Sequence, residues 1–81
     1  MKAKHRKTLQ AIFEDPVRAN IPWTDIERLL RACGAEISEG RGSRVRIALN
    51  GVRAVFHRPH PQKEAKPYQV RDARNFLESF R

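Results

Sequence analysis

The chain has 81 residues, which gives room for one small hydrophobic core and excludes a second one. Its formal net charge is +8 and its pI is near 10.8, a balance typical of domains that bind a polyanion, most often nucleic acid. A membrane-surface protein is disfavoured, because no segment places lysines and bulky apolar residues on opposite faces of one helix. The lone cysteine, Cys33, excludes an intramolecular disulfide and predicts a buried thiol in a reducing, cytoplasmic setting.

A first helix is predicted over residues 4–14. Leu9, Ile12 and Phe13 form its apolar stripe, and Pro16 ends the pattern. The apolar run is too short and too interrupted by charge for a signal peptide or a membrane span.

A second helix is predicted to start near Thr24, because Thr24 and Glu27 have the spacing of a capping box. Gly34 occupies the place where a left-handed residue ends a helix. A short strand over residues 35–38 and a glycine-bracketed turn are expected next. The apolar stripe of this helix consists of Ile26, Leu29, Leu30 and Cys33.

The pair Asn50-Gly51 separates two alternating segments, residues 45–49 and 52–56. Such a pair predicts a two-residue type I′ hairpin, because both turn positions need positive φ. The predicted register pairs Leu49 with Val52, Ile47 with Ala54 and Val45 with Phe56. All six residues are apolar, so this face of the hairpin is predicted to be core.

The other face of the same hairpin is basic. The register places Ala48 opposite Arg53, Arg46 opposite Val55, and Arg44 opposite His57. Directly paired residues have Cβ atoms within roughly 5 Å of each other, so the cations are expected to share one exposed patch. No carboxylate occurs between Glu39 and Glu64 in the sequence.

The third strand is predicted to end in the segment "HRPHP", whose two prolines block further pairing. Pro67 suits the first turn of a last helix. The order helix, helix, three strands, helix predicts an α+β fold in a single domain over residues 1–81. The buried stripe of the last helix is predicted at Val70, Ala73, Phe76, Leu77 and Phe80.

From Trp23 onward the chain resembles the HicA toxins of bacterial toxin–antitoxin pairs. Three stretches carry the resemblance: "WTDIERLLRACGAEI", the "GS" of Gly42-Ser43, and "PHPQKEAKPYQVRDARNFLESF". The resemblance implies a double-stranded-RNA-binding-domain-like αβββα core over residues 23–81, with the helix at 4–14 as an addition. It also implies cleavage of messenger RNA without a metal or other cofactor, and neutralisation by a HicB-type antitoxin in the cytoplasm.

The chain departs from this family at one position. The residue after "GS" is usually a histidine regarded as catalytic, whereas here it is Arg44. Arginine stays protonated near neutral pH and cannot act as a general base. The predicted register pairs Arg44 with His57, so the imidazole required for proton transfer is expected one strand over.

The candidate catalytic residues are therefore His57 and His60, since histidine titrates near neutral pH. Each also has a structural interpretation: His57 as an exposed strand histidine, and His60 as a loop histidine that holds a turn. A metal site at His57, His60 and Glu64 is disfavoured, because two histidines alone do not make one. The candidate RNA-binding residues are Ser43, Arg44, Arg46, Arg53 and Arg58.

Alternatives remain for these residues and for the whole chain. The arginines could form a solvated face that prevents edge pairing, and Ser43 could donate to phosphate or only cap the strand. Trp23 and Tyr68 could pack at helix starts or stack on bases. A non-cleaving RNA-binding module is the main alternative function, and a domain that binds an acidic protein is the third.

Overall fold

The computed structural model describes residues 2–80. It contains three helices and one three-stranded antiparallel sheet with strand order β1-β2-β3, which confirms the α+β prediction. The order of residues 23–80 is the expected helix, three strands and helix, preceded by one further helix. The elements are α1 (Ala3–Ile12), α2 (Trp23–Ala32), β1 (Glu36–Glu39), β2 (Arg44–Leu49), β3 (Val52–His57) and α3 (Pro67–Glu78).

The hairpin of β2 and β3 has the predicted register, from Leu49 opposite Val52 to Arg44 opposite His57. Its turn residues Asn50 and Gly51 have φ values of 50° and 81°, as a type I′ turn requires. Strand β1 pairs with the other edge of β2 and places Glu36 opposite Ala48.

Helices α2 and α3 cover one face of the sheet. Phe56 of β3 lies between them, with its ring centroid 5.6 Å from that of Trp23 and 6.1 Å from that of Phe76. The inward residues Val45 and Ile47 of β2 are fully buried beneath these helices. The alternation of β2 therefore leaves its other side chains on the uncovered face of the sheet.

Helix α1 packs against α2 and α3. It ends at Ile12, two residues earlier than predicted. Ile12 is fully buried, and Arg74 of α3 donates to the carbonyl oxygens of Ile12 (2.9 Å) and Glu14 (2.6 Å). The guanidinium of Arg74 also lies 5.8 Å from the ring centroid of Phe13. The end of α1 is thus fixed by the last helix of the chain.

Two predictions about α2 were wrong. The helix begins at Trp23 with Pro22 as its N-cap, so Thr24 does not form the expected capping box. The Glu27 carboxylate accepts hydrogen bonds from Trp23 and Arg58 instead. Cys33 is exposed: it is the C-cap residue at the end of the helix, where the chain turns at Gly34 (φ 100°).

Candidate functional site

Four predicted site residues share the uncovered face of the sheet, which we call the basic face: Arg44, Arg46, Arg53 and His57. All four are exposed. Arg44 and His57 are direct cross-strand partners, and Arg53 lies opposite Ala48. Direct partners have Cβ atoms within roughly 5 Å, so the imidazole and the first guanidinium can reach one phosphate together.

The turn before β2 brings its backbone close to Arg44. The N–H of Gly40 donates to the carbonyl oxygen of Arg44 at 2.9 Å. A Cβ at position 40 would lie 3.0 Å from the Arg44 Cβ, so glycine permits this approach. Ser43 is exposed, and its carbonyl oxygen accepts from the Arg58 N–H at 2.8 Å. Whether its hydroxyl donates to phosphate stays a prediction.

The backbone of His57 is held from the helix side by Gln69, which is 3% exposed. Its Nε2 donates to the His57 carbonyl oxygen at 2.5 Å, and its Oε1 accepts from the Lys66 N–H at 2.8 Å. One side chain therefore caps the start of α3 and fixes the end of β3. The imidazole of His57 remains on the exposed face.

Arg58 lies on the opposite side of the sheet from His57, because consecutive side chains alternate. Its Nε and Nη2 donate to Glu27 at 2.8 and 3.2 Å, and its Nη1 donates to Glu39 at 2.6 Å. The hydrogen bond with Glu27 is the main cause that raises the pKa of Arg58 above its ordinary value. Direct RNA binding by Arg58 stays a prediction, but its guanidinium is already engaged by two carboxylates.

The Arg58 hydrogen bond lowers the pKa of Glu39 below its ordinary value of 4.5. A carboxyl whose pKa is lower in the folded state than in the unfolded state stabilises the fold at pH values above its unfolded-state pKa. This stabilisation is lost as the pH falls through the folded-state pKa. We therefore expect the urea midpoint to fall as the pH drops below the ordinary value of 4.5, and to fall less in Glu39→Gln. An equal fall in both proteins would contradict a role for this carboxylate.

His60 lies on the loop between β3 and α3 and is exposed. This loop is tied to the start of α2 by two backbone hydrogen bonds, Trp23 N–H to Lys63 O (2.9 Å) and Ala65 N–H to Ile21 O (2.8 Å). His60 therefore lies between two fixed points, the end of β3 and residue Lys63. Its distance from a bound phosphate depends on the pose of the RNA.

The two candidate stacking residues differ in exposure. Trp23 is 3% exposed and packs in the core, so its side chain has the structural role. Tyr68, at the start of α3, is 48% exposed. Of the pair, only Tyr68 presents a ring to solvent.

The sequence did not predict the roles of three polar residues near the site: Glu27, Gln69 and Glu36. Glu27 follows Trp23 by one helical turn, a spacing at which helical side chains can contact each other, and it is 7% exposed. Gln69 has no such signal, because its partner lies twelve residues earlier, at the end of β3. Glu36 stands on the basic face as the cross-strand partner of Ala48.

Within residues 2–80, no group of three or more histidine, cysteine or acidic side chains could hold a metal ion. Among the three helices of the same range, none is long and apolar enough to cross a membrane.

Comparison with protein families matches residues 23–77 to the model described as HicA toxin of bacterial toxin–antitoxin. The match covers more than half of the 81 residues and leaves α1 outside it. No curated protein and no solved structure matches the chain. The αβββα order and the hairpin fit the fold that the resemblance implied, and the family match covers the same residues. Membership of a toxin–antitoxin family implies a cognate antitoxin as partner. The chain belongs to the HicA family of toxins.

Proposed function

We propose that this toxin is an endoribonuclease that cleaves messenger RNA without a metal, and that a HicB-type antitoxin neutralises it in the cytoplasm. The observation that supports this most is the pairing of Arg44 with His57 on the exposed face of the sheet. A base beside an anion-binding group is what cleavage at a phosphodiester requires. Both the base and the anion-binding group belong to the HicA-like core, residues 23–81.

The proposed reaction uses the RNA's own 2′-hydroxyl. His57 takes the proton from this hydroxyl, whose oxygen attacks the adjacent phosphorus and forms a 2′,3′-cyclic phosphate. The bond from phosphorus to the 5′-oxygen breaks, and His60 gives a proton to that departing oxygen. Arg44 and Arg46 bind the non-bridging oxygens, where negative charge develops.

The remaining predicted residues have supporting roles in this proposal. Arg53 binds a neighbouring phosphate, and Ser43 donates to the phosphate backbone at the start of β2. Arg58 holds the His57–His60 segment through Glu27 and Glu39 while a third of its side chain stays exposed. Binding of the antitoxin over the basic face would exclude RNA.

The test is incubation of the antitoxin-free protein with messenger RNA in the presence of a chelator. We expect fragments that end in a 2′,3′-cyclic phosphate, and no cleavage of DNA of the same sequence, which lacks the 2′-hydroxyl. Intact RNA in parallel reactions with and without ribosomes would contradict cleavage.

The second candidate function is a non-cleaving RNA-binding module. Arg44 in the position of the family's histidine favours it, because the chain lacks an imidazole there. Binding of RNA without cleavage, under every condition of the test above, would establish this alternative.

Both candidates predict that the basic face carries the RNA phosphate contacts. Replacing Arg44 and Arg46 together by alanine should weaken binding of single-stranded RNA. The plot of log affinity against log salt should become less steep by about 1.4, since each lost contact removes about 0.7. Fluorescence anisotropy at several salt concentrations measures both effects.

The matched control for this test is Arg6→Ala with Lys7→Ala, which removes the same charge from the exposed part of α1. A larger loss of slope in this control than in the strand variant would place the RNA on α1 and contradict binding at the basic face.

A further inference from the structure

A groove of about 520 Å³ opens on the basic face. Its centre is Ala48, whose small side chain leaves a depression between longer neighbours. Glu36 and Arg53 stand on either side of Ala48 in one cross-strand row. The volume falls within the range of roughly 300–1,000 Å³ that is typical of small-ligand sites.

The next row along the strands forms one wall of this groove. It contains Ser38, Arg46 and Val55, in that order across the sheet. Val55 is 60% exposed, the most exposed large hydrophobic side chain among residues 2–80. An apolar surface between arginines suits the flat face of a nucleobase better than a hydrated phosphate.

Glu36 is the feature that this groove adds to an otherwise cationic face. Its carboxylate repels phosphate, and none of the ion pairs among residues 2–80 involves it. Neighbouring strands are about 4.8 Å apart, so Glu36 and Arg53 start from backbones roughly 10 Å apart. A ligand bound between these two side chains has the Glu36 carboxylate, with two acceptor oxygens, on one side and the Arg53 guanidinium on the other.

Among the four RNA bases, guanine has two adjacent N–H donors on its Watson–Crick edge, at N1 and N2. Adenine, cytosine and uracil each present a donor next to an acceptor on that edge. A carboxylate offers two acceptors and no donor, so it can pair through two hydrogen bonds with guanine only.

We propose that the groove over Ala48 is a nucleobase subsite that prefers guanine, with Glu36 as the side chain that reads its Watson–Crick edge. This inference rests on the proposed RNA binding. Val55 contacts the plane of the base, while Arg46 and Arg53 hold the flanking phosphates. The subsite sets where along an RNA the Arg44–His57 pair acts.

The test uses short single-stranded oligonucleotides with 2′-O-methyl sugars, because blocking the 2′-hydroxyl prevents cleavage. A run of uridines carries one central position that is guanosine, adenosine, cytidine or uridine. Fluorescence anisotropy should show that the guanosine oligonucleotide binds about tenfold more tightly than the others, which lies within the range for one bidentate base contact.

Two variants locate the preference. Glu36→Gln should remove about tenfold of affinity for the guanosine oligonucleotide and leave the uridine oligonucleotide unchanged or bound more tightly. Ala48→Leu should remove the same preference by filling the groove. The matched control is Glu78→Gln, the same charge change at an exposed position of α3, which should raise all affinities alike.

Equal affinity for all four oligonucleotides would overturn the guanine subsite and leave RNA binding by the basic face intact. A guanosine preference that survives both Glu36→Gln and Ala48→Leu would show that guanine is recognised elsewhere on the protein. This result would also overturn the guanine subsite. If none of the oligonucleotides bound in a salt-dependent manner, the proposed function itself would be contradicted.

Discussion

Replacing His57 by alanine is expected to lower the rate of RNA cleavage by about a hundred- to ten-thousand-fold, the usual cost of losing a general base. The expectation follows from the register, which makes His57 the cross-strand partner of Arg44. The imidazole is exposed, and Gln69 holds the backbone carbonyl, which alanine retains. Cleavage of messenger RNA by the purified protein, together with growth arrest in cells, measures the effect.

The controls for His57 separate proton transfer from shape. Glutamine at this position keeps hydrogen bonding but cannot exchange a proton near neutral pH, so His57→Gln should be as inactive as His57→Ala. His5→Ala removes an imidazole from α1 and should leave the rate unchanged. Antitoxin binding should survive in all three variants. Cleavage by either His57 variant near the parent rate would show that His57 is structural.

Replacing Arg58 by methionine should destabilise the fold by about 3 kcal/mol, the low end for breaking a buried ion pair from one side. The low end applies because 33% of the Arg58 side chain is exposed, whereas 9% of the Glu27 side chain is. Loss of the guanidinium leaves the Glu27 carboxylate with the indole N–H of Trp23 as its hydrogen-bond donor. For a domain of this size the melting temperature should fall by roughly 12–24 °C.

A second substitution checks the cause of that loss. Adding Glu27→Gln to Arg58→Met removes the stranded charge and keeps an acceptor for Trp23, so the double variant should be more stable than Arg58→Met alone. Arg71→Met, at an exposed position of α3, is the matched control and should change stability by about 0.5 kcal/mol or less. Equal unfolding midpoints for Arg58→Met and Arg71→Met would contradict the structural role of this ion pair.

The hairpin shows how much of the fold a local pattern can specify. Asn50-Gly51 tolerates the positive φ values of the turn, and the period-two alternation admits one register that buries Val45, Ile47 and Phe56 together. The outward residues follow from that register without further information. Arg44 and His57 were therefore predictable as neighbours.

Helix α2 shows where a local pattern was insufficient. The spacing of Thr24 and Glu27 fits a capping box with Thr24 as N-cap, yet the observed N-cap is Pro22, two residues earlier. Trp23 is buried against Phe56, and Arg58 donates to the Glu27 carboxylate. These two interactions together outweigh the Thr24 cap, which would contribute about 1 kcal/mol. The competing partners come from β3 and the residue after it, so they are not visible in the helix sequence.

The sequence by itself determined the family, the order of helices and strands, and the pairing of Arg44 with His57, because each depends on neighbours along the chain or across a two-residue turn. Only the tertiary structure decided which charges meet. The stretch between Glu39 and Glu64 contains no acid, yet Arg58 pairs with Glu27, 31 residues earlier, and Glu36 joins the basic face through β1. Both placements arise because packing and strand pairing bring separate elements together, and sequence spacing does not encode those contacts.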